Sequence, residues 1–194
     1  MQSVDRTLQV LQSDLCEVLL TDIQIQDRVR QLGQQISTDY QDSEPYLVVI
    51  LNGAFLFVAD LVRYIDLPVE LGFMAVSSYG DSTRSTGTVR IVKDLQKDIL
   101  GREVLIVEDI VDTGLTLTYL RGMLSGRQPR TLRTVSLLSK PACRQVQVPI
   151  EYCGFEIPDK FVVGYGLDFM QRYRNLPCIG VMDPTKAAAQ ENHT

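Results

Sequence analysis

R102-EVLIVEDIVDTGL-T116 is the stretch that decides how this chain reads. Val104 to Val107 is a continuous apolar run of strand length, the pattern of a strand buried on both faces. It leads straight into three carboxylates, Glu108, Asp109 and Asp112, and then into Thr113-Gly114-Leu115-Thr116, a turn opening a helix predicted over 115–124. A helix N-terminus offers unpaired N–H groups and the positive end of a dipole. Gly114 lets the backbone approach an anion closely, and Thr113 and Thr116 add hydroxyl donors. The turn therefore suits a phosphate monoester. Glu108 and Asp109 would repel a bare phosphate, so they need a second explanation. As acceptors for sugar hydroxyls, or as ligands of a hard cation such as magnesium, they fit. A phosphorylated sugar with a cation satisfies both halves of the motif. The plainer alternative, a capped helix with solvated acids, explains the turn but not the Glu-Asp pair on a buried strand. The Gly-Lys-Ser/Thr ending of a nucleoside-triphosphate loop is absent, and Gly164-Tyr165-Gly166 lacks the third glycine of a dinucleotide fingerprint.

Outward from this segment the chain alternates strand and helix. Residues 5–37 carry apolar side chains at spacings of three and four and read as helix, with an interruption or cap at Thr21-Asp22. Tyr46 to Leu51 reads as a buried strand ended by Asn52-Gly53, Ala54 to Ile65 as helix, and Val69 to Ser77 as strand. Residues 78–88, SYGDSTRSTGT, are polar and too long for a tight turn, which predicts a mobile loop. Strands are expected at 89–92 and 132–138, short β pieces near 150–153 and 161–163, and a frayed tail from Lys186. The alternation predicts an α/β fold with a central, mainly parallel sheet flanked by helices. Ligands of such sheets bind at the carboxyl ends of the strands, here Leu51 to Gly53, Ser77 to Tyr79, Glu108 to Thr116 and Ser139-Lys140.

Composition narrows the function class. At 194 residues the chain suits one domain with room for a small appended hood, and 45% hydrophobic content is enough for a sizeable core. Net charge of −5 gives no support for nucleic-acid or acidic-membrane binding. Four cysteines without a CxxC pair, and one histidine at position 193, favour free thiols over a disulfide framework or a zinc site. No apolar run reaches membrane-span length and the N-terminus does not read as a signal peptide, so a cytoplasmic location is expected.

Residues 104–116, with VEDIVDTGLT at their end, resemble the phosphoribosyl pyrophosphate motif of type I phosphoribosyltransferases. Together with the downstream FEIPDKFVVGYGLDF at 155–169, the chain resembles the hypoxanthine-guanine phosphoribosyltransferases from about Val48 to Met182. The resemblance implies the type I fold, its hood formed by the N- and C-terminal segments. It also implies a magnesium-dependent transfer of phosphoribosyl from phosphoribosyl pyrophosphate to a 6-oxopurine, in a homodimer or homotetramer. By the same resemblance Glu108 and Asp109 meet the ribose hydroxyls, directly or through metal. Asp112 sits near purine N7 as general acid or base, and Asp112 to Thr116, Leu115 included, cradle the 5-phosphate. Lys140 donates to the purine O6, Phe161 stacks on the base and Val162 reads its edge through the backbone. Asp168 is a magnesium ligand near pyrophosphate and the base, and Arg174 contacts pyrophosphate. Leu51-Asn52-Gly53 forms the pyrophosphate loop with a cis peptide, and Ser78-Tyr79 begins the loop that closes over the reacting centre. Arg144 falls where relatives often carry a basic residue near pyrophosphate. Two departures stand out: relatives often have lysine where this chain has Asn52 and, in some, Leu115.

Residue types alone read differently at several of these positions. Lys140 at a strand end would ordinarily be solvated, Phe161 to Val163 would be a core strand, and Asp168 and Arg174 would be surface residues. Three other functions are compatible with a ribosyl motif. A phosphoribosyltransferase preferring xanthine or guanine differs only at the C2 reading of the base. An RNA-binding regulator that keeps the ribosyl motif would want a basic face. An inactive sugar-phosphate module would not need Asp112, Lys140 and Asp168 together.

Overall fold

Strand β5, Glu103–Val111, lies near the middle of a six-stranded sheet ordered β4-β3-β2-β5-β6-β7. The computed structural model describes residues 13–78 and 89–186. Its elements run β1 (Leu15–Leu20), α1 (Asp22–Asp39), β2 (Tyr46–Leu51), α2 (Phe55–Leu61), β3 (Glu70–Ser78) and β4 (Val89–Lys93). After β5 come α3 (Leu115–Ser125), β6 (Thr131–Ser139), β7 (Tyr152–Glu156), β8 (Val162–Val163) and β9 (Ile179–Met182). Strands β3, β2, β5, β6 and β7 are mutually parallel and β4 closes one edge antiparallel. The mainly parallel sheet read from the strand–helix alternation is present.

The chain divides into two compact units, Val29–Asp159 and Met1–Arg28 with Lys160–Thr194. The first holds the six-stranded sheet. Leu47, Val49, Leu105 and Val107 point to one of its faces, and Val48, Ile50, Val104 and Ile106 to the other; all but Ile50 are fully buried. That second face shares a core with Leu117, Leu120 and Leu124 of α3, which recur at helical spacing. Burial on both faces is why these strands read as unbroken apolar runs.

The second unit holds a three-stranded sheet ordered β1-β9-β8, all pairs antiparallel. Here the helix expected from residue 5 is corrected: Leu15–Leu20 is a strand paired with β9. Register shifts between Leu15 and Glu17 and between Val18 and Leu20 break its alternation, and the remaining apolar spacing imitates a helix. Residues before 13 lie outside the described structure. The true helix begins after Thr21, whose N–H donates to Gln24 Oε1 (2.9 Å) while the Gln24 N–H donates to Thr21 Oγ1 (3.4 Å). This reciprocal capping box satisfies two orphan donors and fixes the helix start. Strand β9 has no counterpart among the expected elements. The expected mobile loop, apart from Ser78 at the end of β3, and the tail beyond Lys186 also lie outside the described residues.

Candidate active site

Strands β3 and β5 lie on opposite sides of β2, so the strand order reverses direction between β2 and β5. In open parallel sheets this switch point opens a crevice at the carboxyl ends. The turn after β2 and the acids of β5 meet there. Leu51–Asn52 is a cis peptide, as the resemblance implied, and Gly53 follows it. A Cβ on Gly53 would collide with the Asp109 carboxylate, so only glycine allows the two strand ends to approach this closely. Asp109 Oδ1 also accepts the Ile110 N–H at 2.8 Å.

Glu108 and Asp109 lie within β5, which runs four residues past the predicted end. Strand alternation turns them to opposite faces. Glu108 is 5% exposed, and no donor meets its carboxyl among the described residues. Burial, and then the charge of Asp109, push its pKa well above the usual carboxylate range. A carboxyl desolvated beside a second one is the chemistry a cation or sugar hydroxyls would relieve. Among the described residues no three metal-ligating side chains cluster. A hard cation such as magnesium, which takes one or two carboxylates and completes its shell with ligand oxygens and water, still fits this donor set.

Asp112, Thr113 and Gly114 follow. Asp112 is exposed. Gly114 caps α3 with φ of +86°, a left-handed conformation that glycine adopts without strain. The Asp112 carbonyl accepts from Arg144 at 2.9 Å, and the Thr113 carbonyl accepts from the Gln145 and Val146 N–H groups at 2.9 and 3.2 Å. Among the described residues the N–H groups of Thr113 and Gly114 have no acceptor. Leu115 N–H leans on Thr113 Oγ1 at 3.4 Å, and Thr116 stands exposed in the first turn.

Lys140 leaves the end of β6, its N–H bonded to the Val111 carbonyl at 2.9 Å. It is 7% exposed, so the solvated strand-end lysine of the composition-based reading is replaced by a buried one. Its ammonium meets Asp159 Oδ1 at 3.6 Å, an ion pair longer than a hydrogen bond. Cys143 stands beside the same acids. Burial first, then the carboxylates of Asp159 and Asp112, push its thiol up to about 12, so it is neutral and a poor nucleophile at neutral pH. Asp159 was not singled out by sequence reasoning. It is an ordinary acid 19 positions from Lys140, and only the fold brings the two together.

In the other unit, Phe161 is 54% exposed, not part of a core strand, and its ring meets that of Phe169 edge-on at 5.7 Å. Val162 is buried in β8, and the neighbouring Phe161 carbonyl accepts from Met182 N–H at 3.0 Å. Asp168 is tied into its own loop: Oδ2 accepts the Gln171 N–H (2.9 Å) and Oδ1 pairs with Arg174 (2.8 Å). Arg174 also donates to the Gly166 carbonyl at 2.7 Å. Tyr165, Met170, Gln171 and Tyr173 all adopt positive φ, a concentration of backbone strain of the kind found at binding sites. Ser78 ends β3, and Tyr79 lies outside the described residues.

A phosphoribosyl transferase domain profile matches residues 19–170. The chain is 52% identical over 185 residues to the hypoxanthine-guanine phosphoribosyltransferase of Mycobacterium tuberculosis, covering 92% of each. It is 47% identical over 175 residues to the enzyme of that name from Bacillus subtilis, covering 90% of this chain and 97% of the relative. The chain belongs to the hypoxanthine-guanine phosphoribosyltransferase family. A crystal structure of a hypoxanthine phosphoribosyltransferase from Staphylococcus aureus superposes with a TM-score of 0.88 at 46% identity, over 91% of this chain and 96% of that one. Membership makes this protein a transferase of the type I fold. Phosphoribosyl transfer in purine salvage is the activity that its hypoxanthine-guanine phosphoribosyltransferase relatives support.

Proposed function

We propose that the chain transfers the 5-phosphoribosyl group of phosphoribosyl pyrophosphate to N9 of hypoxanthine and guanine, releasing pyrophosphate. The observation that carries this reading is the arc at the β2–β5 switch point. A buried, donor-free Glu108 stands beside Asp109, and four residues further on the Thr113 and Gly114 N–H groups lack acceptors among the described residues. Sugar hydroxyls or a cation suit the first part and a phosphate suits the second.

In this reading Glu108 and Asp109 hold the ribose, and the amides and hydroxyls of Thr113 to Thr116 hold the 5-phosphate. The exposed Asp112 carboxylate accepts or returns a proton at purine N7 as the N9 bond forms, and its charge favours a cation-like ribosyl centre. Lys140, buried and short of hydrogen-bond partners, donates to a 6-oxo group, whereas a 6-amino group would leave it unmatched. The exposed Phe161 ring offers a face for stacking. Leu51 to Gly53, Ser78, Tyr79 and Arg174 serve pyrophosphate. Glu108 and Asp109 would hold magnesium together with ligand oxygens and water, and the ion would neutralise charge on the diphosphate. The enzyme works in the cytoplasm as a homodimer or homotetramer. Among the described residues no helix is long and apolar enough to cross a membrane.

A steady-state assay with four purines tests this reading. Nucleotide should form from hypoxanthine and guanine and not from adenine. Equal use of adenine would remove the 6-oxopurine assignment.

A further inference from the structure

The segment that leaves β6, residues 139–146, runs along the phosphate loop and contacts three successive residues of it. Arg144 Nη1 donates to the Asp112 carbonyl at 2.9 Å. The Gln145 and Val146 N–H groups donate to the Thr113 carbonyl at 2.9 and 3.2 Å. A Cβ on Gly114 would meet the Val146 carbonyl and, at 3.1 Å, Arg144 Cδ. The other arm of the guanidinium, Nη2, donates to Ser139 Oγ at 2.8 Å, and Ser139 is 3% exposed. Arg144 therefore spans from a buried hydroxyl on β6 to the backbone of the loop.

Peptide units in the loop are trans, because the single cis bond of the described residues is Leu51–Asn52. In a trans unit the C=O and the following N–H point in opposite directions. Turning the Asp112 and Thr113 carbonyls toward residues 144–146 therefore turns the Thr113 and Gly114 N–H groups away from them, and neither has an acceptor among the described residues. Backbone amides, which any residue supplies, hold the Thr113 carbonyl. A side chain holds the Asp112 carbonyl.

We propose that Arg144 is a positioning residue for the 5-phosphate site: it fixes the Asp112–Thr113 peptide so that the Thr113 N–H faces the phosphate, and it does not bind pyrophosphate. The inference rests on the phosphate assignment of the proposed function. Lysine would not replace this arginine, since a single ammonium cannot reproduce a planar fork reaching two fixed acceptors.

The test is binding of inosine 5-monophosphate, inosine and magnesium pyrophosphate, each measured separately by calorimetry. The full-length protein is compared with Arg144→Lys, Arg144→Met and Ser139→Ala. Both arginine variants should bind the monophosphate roughly tenfold or more weakly, as loss of a charge-assisted hydrogen bond implies. Ser139→Ala should shift the same way by less. Inosine and pyrophosphate should bind within about twofold of wild type, since the proposal gives Arg144 no contact with either. Weakened pyrophosphate binding with unchanged monophosphate binding would overturn the proposal. Equal weakening of inosine and its monophosphate would also overturn it, by showing a general structural effect. Should the arginine variants fail to fold, Ser139→Ala decides: unchanged monophosphate binding in that variant overturns the proposal. Wild-type protein that binds inosine and its monophosphate equally would instead remove the phosphate assignment itself.

Discussion

At the residue scale the proposed chemistry rests on Asp112 and Lys140, and each has a separable consequence. Asp112→Asn keeps the shape of the exposed side chain but removes its basicity. Turnover should fall ~100-fold or more, the typical contribution of a positioned acid or base, while the dissociation constant for phosphoribosyl pyrophosphate stays within about threefold. Equal losses in both would assign Asp112 to binding. Lys140→Ala should remove the preference for hypoxanthine over adenine, a discrimination of roughly tenfold or more from one hydrogen bond to a charged donor. Competition between the two bases measures it, and an unchanged preference would take Lys140 out of base reading. The acids and the threonines of the loop were legible in the sequence because they lie consecutively at a strand end. The state of Lys140 was not. Its ammonium is buried and pairs with Asp159, which the chain supplies 19 residues later.

Elements were legible where burial is two-sided and illegible where pairing is irregular. Strands β2 and β5 read as apolar runs because both of their faces are buried. Strand β1 read as helix because two register shifts hide its alternation, and β9 escaped notice because Ile179 to Met182 is too short to show a period. The capping box at Thr21 is a local signal that the sequence did carry, as a possible cap at Thr21-Asp22. Thr21→Ala should lower stability by about 0.5–2 kcal/mol in thermal or denaturant unfolding and leave turnover unchanged. Gly114→Ala belongs to the same scale. The positive φ and the Val146 carbonyl both exclude a Cβ, so the loop must shift, at a cost of about 1–3 kcal/mol. Unlike the cap variant, it should weaken binding of the phosphorylated ligand, which titration of the monophosphate would detect.

At the scale of the whole molecule the proposed function centres on one topological feature, the reversal of strand order between β2 and β5. That reversal follows from pairing choices that no single segment encodes, so sequence reading located the strand ends but not which of them meet. The contact between Gly53 and Asp109 is the product of that topology. A fold that gathers two neighbouring carboxyls and a phosphate-ready helix start into one crevice suits a sugar diphosphate with its cation. The most direct measurement is therefore the initial rate of nucleotide formation from phosphoribosyl pyrophosphate with hypoxanthine, guanine, xanthine or adenine. It should be taken with magnesium and again with excess chelator. The proposed reaction requires turnover with hypoxanthine and guanine, none with adenine, and complete loss in chelator. Turnover with adenine at a comparable rate, or turnover that survives the chelator, would contradict it.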